Sequence, residues 1–193
     1  LECPQCATQL QPIATPETKP LDPASVYAIT KQDQEQLCLT VGRAYEIPTV
    51  ALRYFNVYGP AESHKKAAAS MIYQLYLQMK AGRRPRVFRA GEQCRDFVYV
   101  KDVVAMTIHA LNSPRSDIFN CGSGHAVSFN EVIAILNRHL GTQLEPEYID
   151  NPYSFYQPHT QADMTRARTE LGFTPRFTPA SGIPDYLESL SLS

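Results

Sequence analysis

Thr49-Val50-Ala51-Leu52-Arg53-Tyr54-Phe55-Asn56-Val57-Tyr58-Gly59-Pro60 is the stretch on which the fold turns. Its first residues are β-branched and apolar, as in a buried strand, and Gly59-Pro60 stops it. Upstream, residues 25 to about 43–45 read as a helix, weakened at Gly42 and ended by Pro48. Downstream the same alternation continues. A helix over 67–80 presents Met71, Leu75 and Met79 on one face and has Gly82 beyond its end. Short strands follow at 86–88 and 97–100, and Asp102 is expected to open a helix through 111. Residues 117–120 form a strand entering Gly122-Ser123-Gly124. Ser128 and Glu131 make a capping box for a helix that stops at Gly141. A strand at 145–149 precedes a helix over 163–171 closed by Gly172. The last helix starts at Thr178-Pro179, and Pro184 is expected to kink or restart it. Helix and strand alternate throughout, so the class is α/β.

Composition removes several functions. The chain has 193 residues, 44% hydrophobic content and a net charge of −1, enough for one compact domain with a core. There is no basic excess for nucleic acid, and Arg83-Arg84-Pro85-Arg86 is short. No apolar run reaches membrane-spanning length, and no leader opens the chain. Five scattered cysteines without a disulfide spacing point to a reduced, cytoplasmic protein. Leu1 in place of Met suggests a piece of a longer polypeptide. Cys3-Pro4-Gln5-Cys6 lies in a Pro- and Thr-rich loop over 1–24. It reads either as two free thiols or as half of a zinc knuckle whose other ligands lay upstream, since tetrahedral zinc takes four.

Tyr27 and Lys31 stand four apart on the first helix, so they share a face. An ammonium beside a phenol favours phenolate, and such a tyrosine can exchange a proton with a carbinol oxygen. By itself the pair reads equally as two residues of a solvated helix.

Three segments together, Ser25-Val26-Tyr27-Ala28-Ile29-Thr30-Lys31, Leu52 to Pro60, and Arg95-Asp96-Phe97-Val98-Tyr99-Val100-Lys101-Asp102-Val103, resemble the extended short-chain dehydrogenase/reductase family, the NAD-dependent epimerases and dehydratases. The resemblance implies the C-terminal part of a Rossmann-like parallel sheet plus a small substrate-binding lobe. Residues 1–24 become a loop with part of a cysteine-rich insertion, and 25–60 a remnant of the Rossmann domain. Residues 61–193 are mainly the lobe, with 97–125 returning to the sheet. The N-terminal dinucleotide-binding half, with its Gly-x-x-Gly-x-x-Gly turn, has no counterpart in the sequence. The chain alone is therefore expected to be inactive and to expose an apolar edge.

The resemblance also implies site residues. Tyr27 is the acid/base, Lys31 holds the nicotinamide ribose of NAD or NADP, and Phe55 and Val57 lie beside the nicotinamide. Asn56, Phe88, Arg95 and Tyr156 hold the nucleotide sugar. Arg95 suits a diphosphate because its planar fork matches the oxygens; its bland reading is an ion pair with Asp96. Glu62-Ser63-His64-Lys65-Lys66, Tyr153-Ser154-Phe155-Tyr156-Gln157 and Thr160-Gln161-Ala162-Asp163 are similar to the ADP-L-glycero-D-manno-heptose 6-epimerases. There Lys65 is a second acid/base on the opposite sugar face. Ala67 and Gln74 depart from that pattern, where a serine and a histidine are expected. The first third is instead similar to dTDP-L-rhamnose 4-epimerases, in which Cys3 and Cys6 would belong to a metal knuckle. A 4-epimerase of that type or of the UDP-hexose type, with Lys65 a bystander, is thus a second enzyme reading. A non-catalytic nucleotide-sugar-binding or zinc-knuckle module is a third. The expected partners are a nucleotide sugar and further copies of the chain.

Overall fold

A computed structural model describes residues 2–88, 90–152 and 156–191; Tyr153, Ser154 and Phe155 of the aromatic motif lie outside the described residues. Helix α1 (Val26–Ala44) begins where the Ser25 hydroxyl accepts from Ala28 N. It leads into strand β1 (Val50–Tyr54) and then β2 (Asn56–Tyr58). A short 3-10 helix (Ser63–Ala68) precedes α2 (Met71–Lys80), β3 (Arg86–Phe88) and β4 (Cys94–Tyr99). Next come α3 (Val100–Leu111), β5 (Asp117–Cys121), β6 (Ala126–Ser128) and α4 (Phe129–Leu140). The chain closes with β7 (Glu147–Ile149), α5 (Thr165–Glu170) and α6 (Pro179–Ser191).

Among the described residues the strands form three small sheets. β1 pairs in parallel with β5, β2 and β6 flank β4, and β3 pairs in parallel with β7. Among the described strands the β4–β6 pair alone is antiparallel. The stretch 49–60 is therefore two strands, not one. Phe55 N still donates to Cys121 O, continuing the β1–β5 ladder, and one residue later Asn56 is in register with Phe97 of β4. β1 is half-buried rather than buried.

Two cores result. The larger joins α2, α4 and α6 to β3 and β4 through Ile72, Leu75, Val87, Phe97, Leu136 and Leu187. The smaller sets Met106 of α3 and Phe119 of β5 against Met164, Ala167 and Phe173, with Phe55 packed beside them.

Several local expectations change. The helix expected over 67–80 starts later, because the Ser70 hydroxyl accepts from Tyr73 N and caps α2. Asp102 does not open α3, which begins at Val100. Its buried carboxylate instead accepts from Arg176 N and Phe177 N and ties α3 to the chain entering α6. Pro184 lies inside α6, which continues through it. The Ser128–Glu131 capping box and the left-handed Gly141 cap form as read.

Candidate active site

β4 presents alternate side chains to opposite faces. Arg95 shares a side with Phe97 and Tyr99, so it stands at the rim of the larger core. Its guanidinium carbon lies 4.9 Å from the centre of the Tyr156 ring. Tyr156 in turn meets Phe88 of β3 edge-to-face, 5.8 Å between centroids. Phe88 and Arg95, on successive strands, and the sequence-distant Tyr156 thus form one aromatic–guanidinium cluster. Burial pushes the Tyr156 phenol up, opposed by the Arg95 cation and by hydrogen bonds with Gln93 and Arg95. Arg95 Nη1 donates to Cys94 O at 2.8 Å. That bond fixes one corner of a five-donor fork, and the plane is already stacked.

Asp96 occupies the opposite face and is fully buried. Its carboxylate accepts from Ser123 N and Ser123 Oγ, each at 2.7 Å, from Gly124 N at 3.0 Å and from Ala162 N at 2.9 Å. A Cβ at Gly122 would sit 2.8 Å from Asp96 Oδ2 and 2.5 Å from Ala162 Cβ, so only glycine allows this approach. The ion pair between Arg95 and Asp96 does not form, because the strand sends them apart. The 158–163 segment continues the same frame. Cys94 N donates to Pro158 O and Thr160 N to Cys94 O, while Thr15 N donates to Gln161 O.

Tyr27 and Lys31 form a second group. Lys31 Nζ lies 5.4 Å from the Tyr27 ring centre and donates to Gln34 Oε1. Tyr27 is 71% exposed. α1 and β1 run antiparallel: Gly42 lies against Thr49, and Arg53 of β1 reaches back to Glu35 of α1. The Tyr27 end of α1 therefore points to the end of β1 where Phe55 begins the crossing to β2. Phe55 packs into the smaller core, Val57 is half-buried, and Asn56 is exposed, two positions beyond Arg95 in the β2–β4 register.

Lys65 stands apart, exposed on the 3-10 helix. None of the described contacts joins it to Tyr27 or Arg95. Its loop is closed at the base by the buried carboxylate of Glu62, which accepts from Ser70 N, Ser70 Oγ and Tyr186 Oη. Gln74 Nε2 holds the Ala67 and Ala69 carbonyls from within. Cys3 and Cys6 lie in a tight turn in which Cys3 N donates to Thr8 O and Ala7 N to Cys3 O. Among the described residues no group of three or more His, Cys, Asp or Glu could hold a metal ion, and none of them brings Cys3 and Cys6 the further ligands a tetrahedral zinc takes. Among the same residues no helix is long and apolar enough to cross a membrane.

Sequence reading missed Gln93, Asp96, Glu62 and the Arg53–Glu35 pair. Asp96 was legible only as a neighbour of Arg95. The other partners are set by contacts remote in sequence.

The chain belongs to the NAD dependent epimerase/dehydratase family, which it matches over residues 4–122. It is similar to the ADP-L-glycero-D-manno-heptose-6-epimerase of Helicobacter pylori, with 37% identity over 95% of this chain and 56% of that one, at a TM-score of 0.85. The UDP-glucose 4-epimerase of Thermotoga maritima, solved with UDP-glucose, is 29% identical over 96% of this chain and 60% of that one, at a TM-score of 0.86. A UDP-glucuronic acid 4-epimerase of Bacillus cereus, solved with UDP-glucuronic acid and NAD, is 28% identical over 93% and 58%, at 0.79. The chain thus spans well under two thirds of each of these structures.

Proposed function

We propose that this chain carries the sugar-nucleotide site and the proton-transfer residues of an NAD(P)-dependent nucleotide-sugar epimerase, with ADP-glycero-manno-heptose 6-epimerisation the first reading. The observation that carries it is the meeting of Phe88, Arg95 and Tyr156 in one cluster. Two rings and a stacked guanidinium suit a base and a diphosphate. The likeness to the Helicobacter heptose epimerase, the most identical of the three structures named above, favours the ADP-heptose over a UDP-hexose.

The residues present fit the nicotinamide-ribose end of a dinucleotide. The Lys31 ammonium and Tyr27 phenol share a face at the Phe55 end of β1, where Lys31 can donate to ribose hydroxyls. The chain has no Gly-x-x-Gly-x-x-Gly turn for the pyrophosphate. When bound, the nicotinamide supplies hydride acceptance and return at the carbinol carbon. Tyr27 takes the proton from the carbinol oxygen as the ketone forms. Arg95 and Tyr156 keep the nucleotide anchored while the sugar presents its other face. Lys65 would give the proton to the carbinol oxygen on that side as the carbinol re-forms, the inverted configuration being set by return of hydride to the opposite face of the carbon. Asn56 hydrogen-bonds the sugar through its paired donor and acceptor. In domain terms, 25–60 and 97–125 belong to the dinucleotide sheet and most of 61–193 to the substrate lobe.

Titration calorimetry of the 193-residue chain with ADP tests the site. Binding is expected, with Arg95→Ala weakening it at least tenfold; no binding to either an ADP- or a UDP-sugar overturns the reading. In a form that turns over, Lys65→Met should lower 6-epimerisation by roughly a hundredfold or more. Unchanged turnover of a UDP- or dTDP-hexose in that variant would favour the 4-epimerase instead.

A further inference from the structure

We infer that the Arg53–Glu35 pair is the positioning device that sets the rotation of α1, and through it the direction of Tyr27 and Lys31. This rests on the role proposed for that pair. Glu35 follows Lys31 by four residues, as Lys31 follows Tyr27. Each four-residue step advances about 40° around the helix. Fixing Glu35 inward therefore fixes how far Lys31 and Tyr27 turn toward the open side. The structure shows this progression: the Glu35 side chain is 9% exposed, whereas Tyr27 is 71% exposed.

The grip is bidentate. Arg53 Nε and Nη2 each donate to a Glu35 carboxylate oxygen at 2.7 Å, and Nη1 donates to Glu17 O at 2.9 Å. A fork met by a carboxylate restrains orientation as well as distance, which a single contact cannot do. Little else holds the helix. Its one buried residue is Gly42, near the far end, while Val26, Ile29, Leu37 and Val41 are exposed. Arg53 is also joined to the other half of the site. The Glu17 carboxylate accepts from Asn120 N, and Asn120 Nδ2 donates to the Thr15 and Asp163 carbonyls. Through Gln161 and Thr160 this chain of bonds reaches Cys94, next to Arg95. One guanidinium thus relates the proton-transfer helix to the frame of the nucleotide site.

Hydrogen exchange on the 193-residue chain and turnover in the catalytically competent form of the protein test this together. Arg53→Met should speed exchange of α1 amides at least tenfold and leave those of β4 and α4 unchanged. It should lower kcat at least tenfold with KM for the nucleotide sugar within twofold, because Arg95 holds the diphosphate from another strand. Arg53→Lys, which keeps the charge and loses the fork, should recover less than the exchanged pair Glu35→Arg with Arg53→Glu. Glu35→Gln serves if Arg53→Met fails to fold, with a smaller effect of the same kind. Unchanged α1 exchange overturns the inference, and so does loosened α1 with wild-type kcat. Wild-type protein silent in every form overturns the proposed function instead, and exchange alone then decides whether the pair holds the helix.

Discussion

The α2–α4–α6 lobe and the α1–β1 unit are built from similar proportions of apolar residues and use them in opposite ways. In the lobe, Ile72, Leu75, Val132, Leu136, Ile183 and Leu187 are all sealed. In the α1–β1 unit Val26, Ile29, Leu37, Val41 and Tyr54 face outward, and β1 is paired on one edge, to β5, among the described residues. Parallel strands are normally paired and covered on both sides. The comparison teaches that the α2–α4–α6 lobe is self-supporting, whereas α1 is held by a few polar contacts and leaves apolar side chains exposed.

The largest test of that contrast is a pair of truncations. Leu136→Ala should cost about 2–5 kcal/mol, as cavity-forming core changes do. Leu37→Ala on α1 should stay within about 0.5 kcal/mol. Urea unfolding of both variants would erase the distinction if the costs were alike. Next is Asp96→Ala, which leaves three backbone amides, two of them buried, and the Ser123 hydroxyl without this acceptor. A loss of roughly 3 kcal/mol is expected, together with weakened ADP binding, because Ala162 and the adjoining 158–161 segment frame Tyr156 and Arg95.

A third test concerns the exposed side of α1. Leu37→Lys with Val41→Lys should reduce self-association, measured by sedimentation, with melting temperature nearly unchanged. If wild-type chain sediments as a monomer at every concentration, the uncovered face does not drive association. The smallest effect lies within the lobe. Lys101, and after it Tyr99, hold the Asp185 carboxyl below its ordinary value. A depressed carboxyl stabilises the fold above its unfolded value, near pH 4, and loses that contribution as pH falls through the lowered one. The site is partly exposed, so Asp185→Asn should remove only about 1–3 °C from the neutral-pH melting temperature, and that difference should vanish in acid.

Much of this molecule was legible locally. Ser25, Ser128 with Glu131, Gly141 and Pro179 mark helix ends through their own backbone chemistry, and those helices formed where they were read. The four-residue spacing of Tyr27 and Lys31 places both on one face of a helix, and in the fold the ammonium lies over the ring. The family resemblance named Asn56, Phe88, Arg95 and Tyr156 together; the fold sets Phe88 and Arg95 against Tyr156, and leaves Asn56 exposed on the neighbouring strand.

What the sequence could not show is which residues meet when their separation is long and their partners are backbone atoms. The stretch 49–60 looked like one strand because nothing in its composition records that Phe55 pairs with Cys121 while Asn56 pairs with Phe97. Asp96 looked like a partner for Arg95 until the pleat put them on opposite faces. Nothing in the sequence near Arg53 announces Glu35, which lies eighteen residues upstream and meets it only in the fold. Short-range periodicity and capping are properties of the chain itself. Sheet pairing and buried polar bonds are decided only when desolvation forces each donor to find an acceptor in the folded interior.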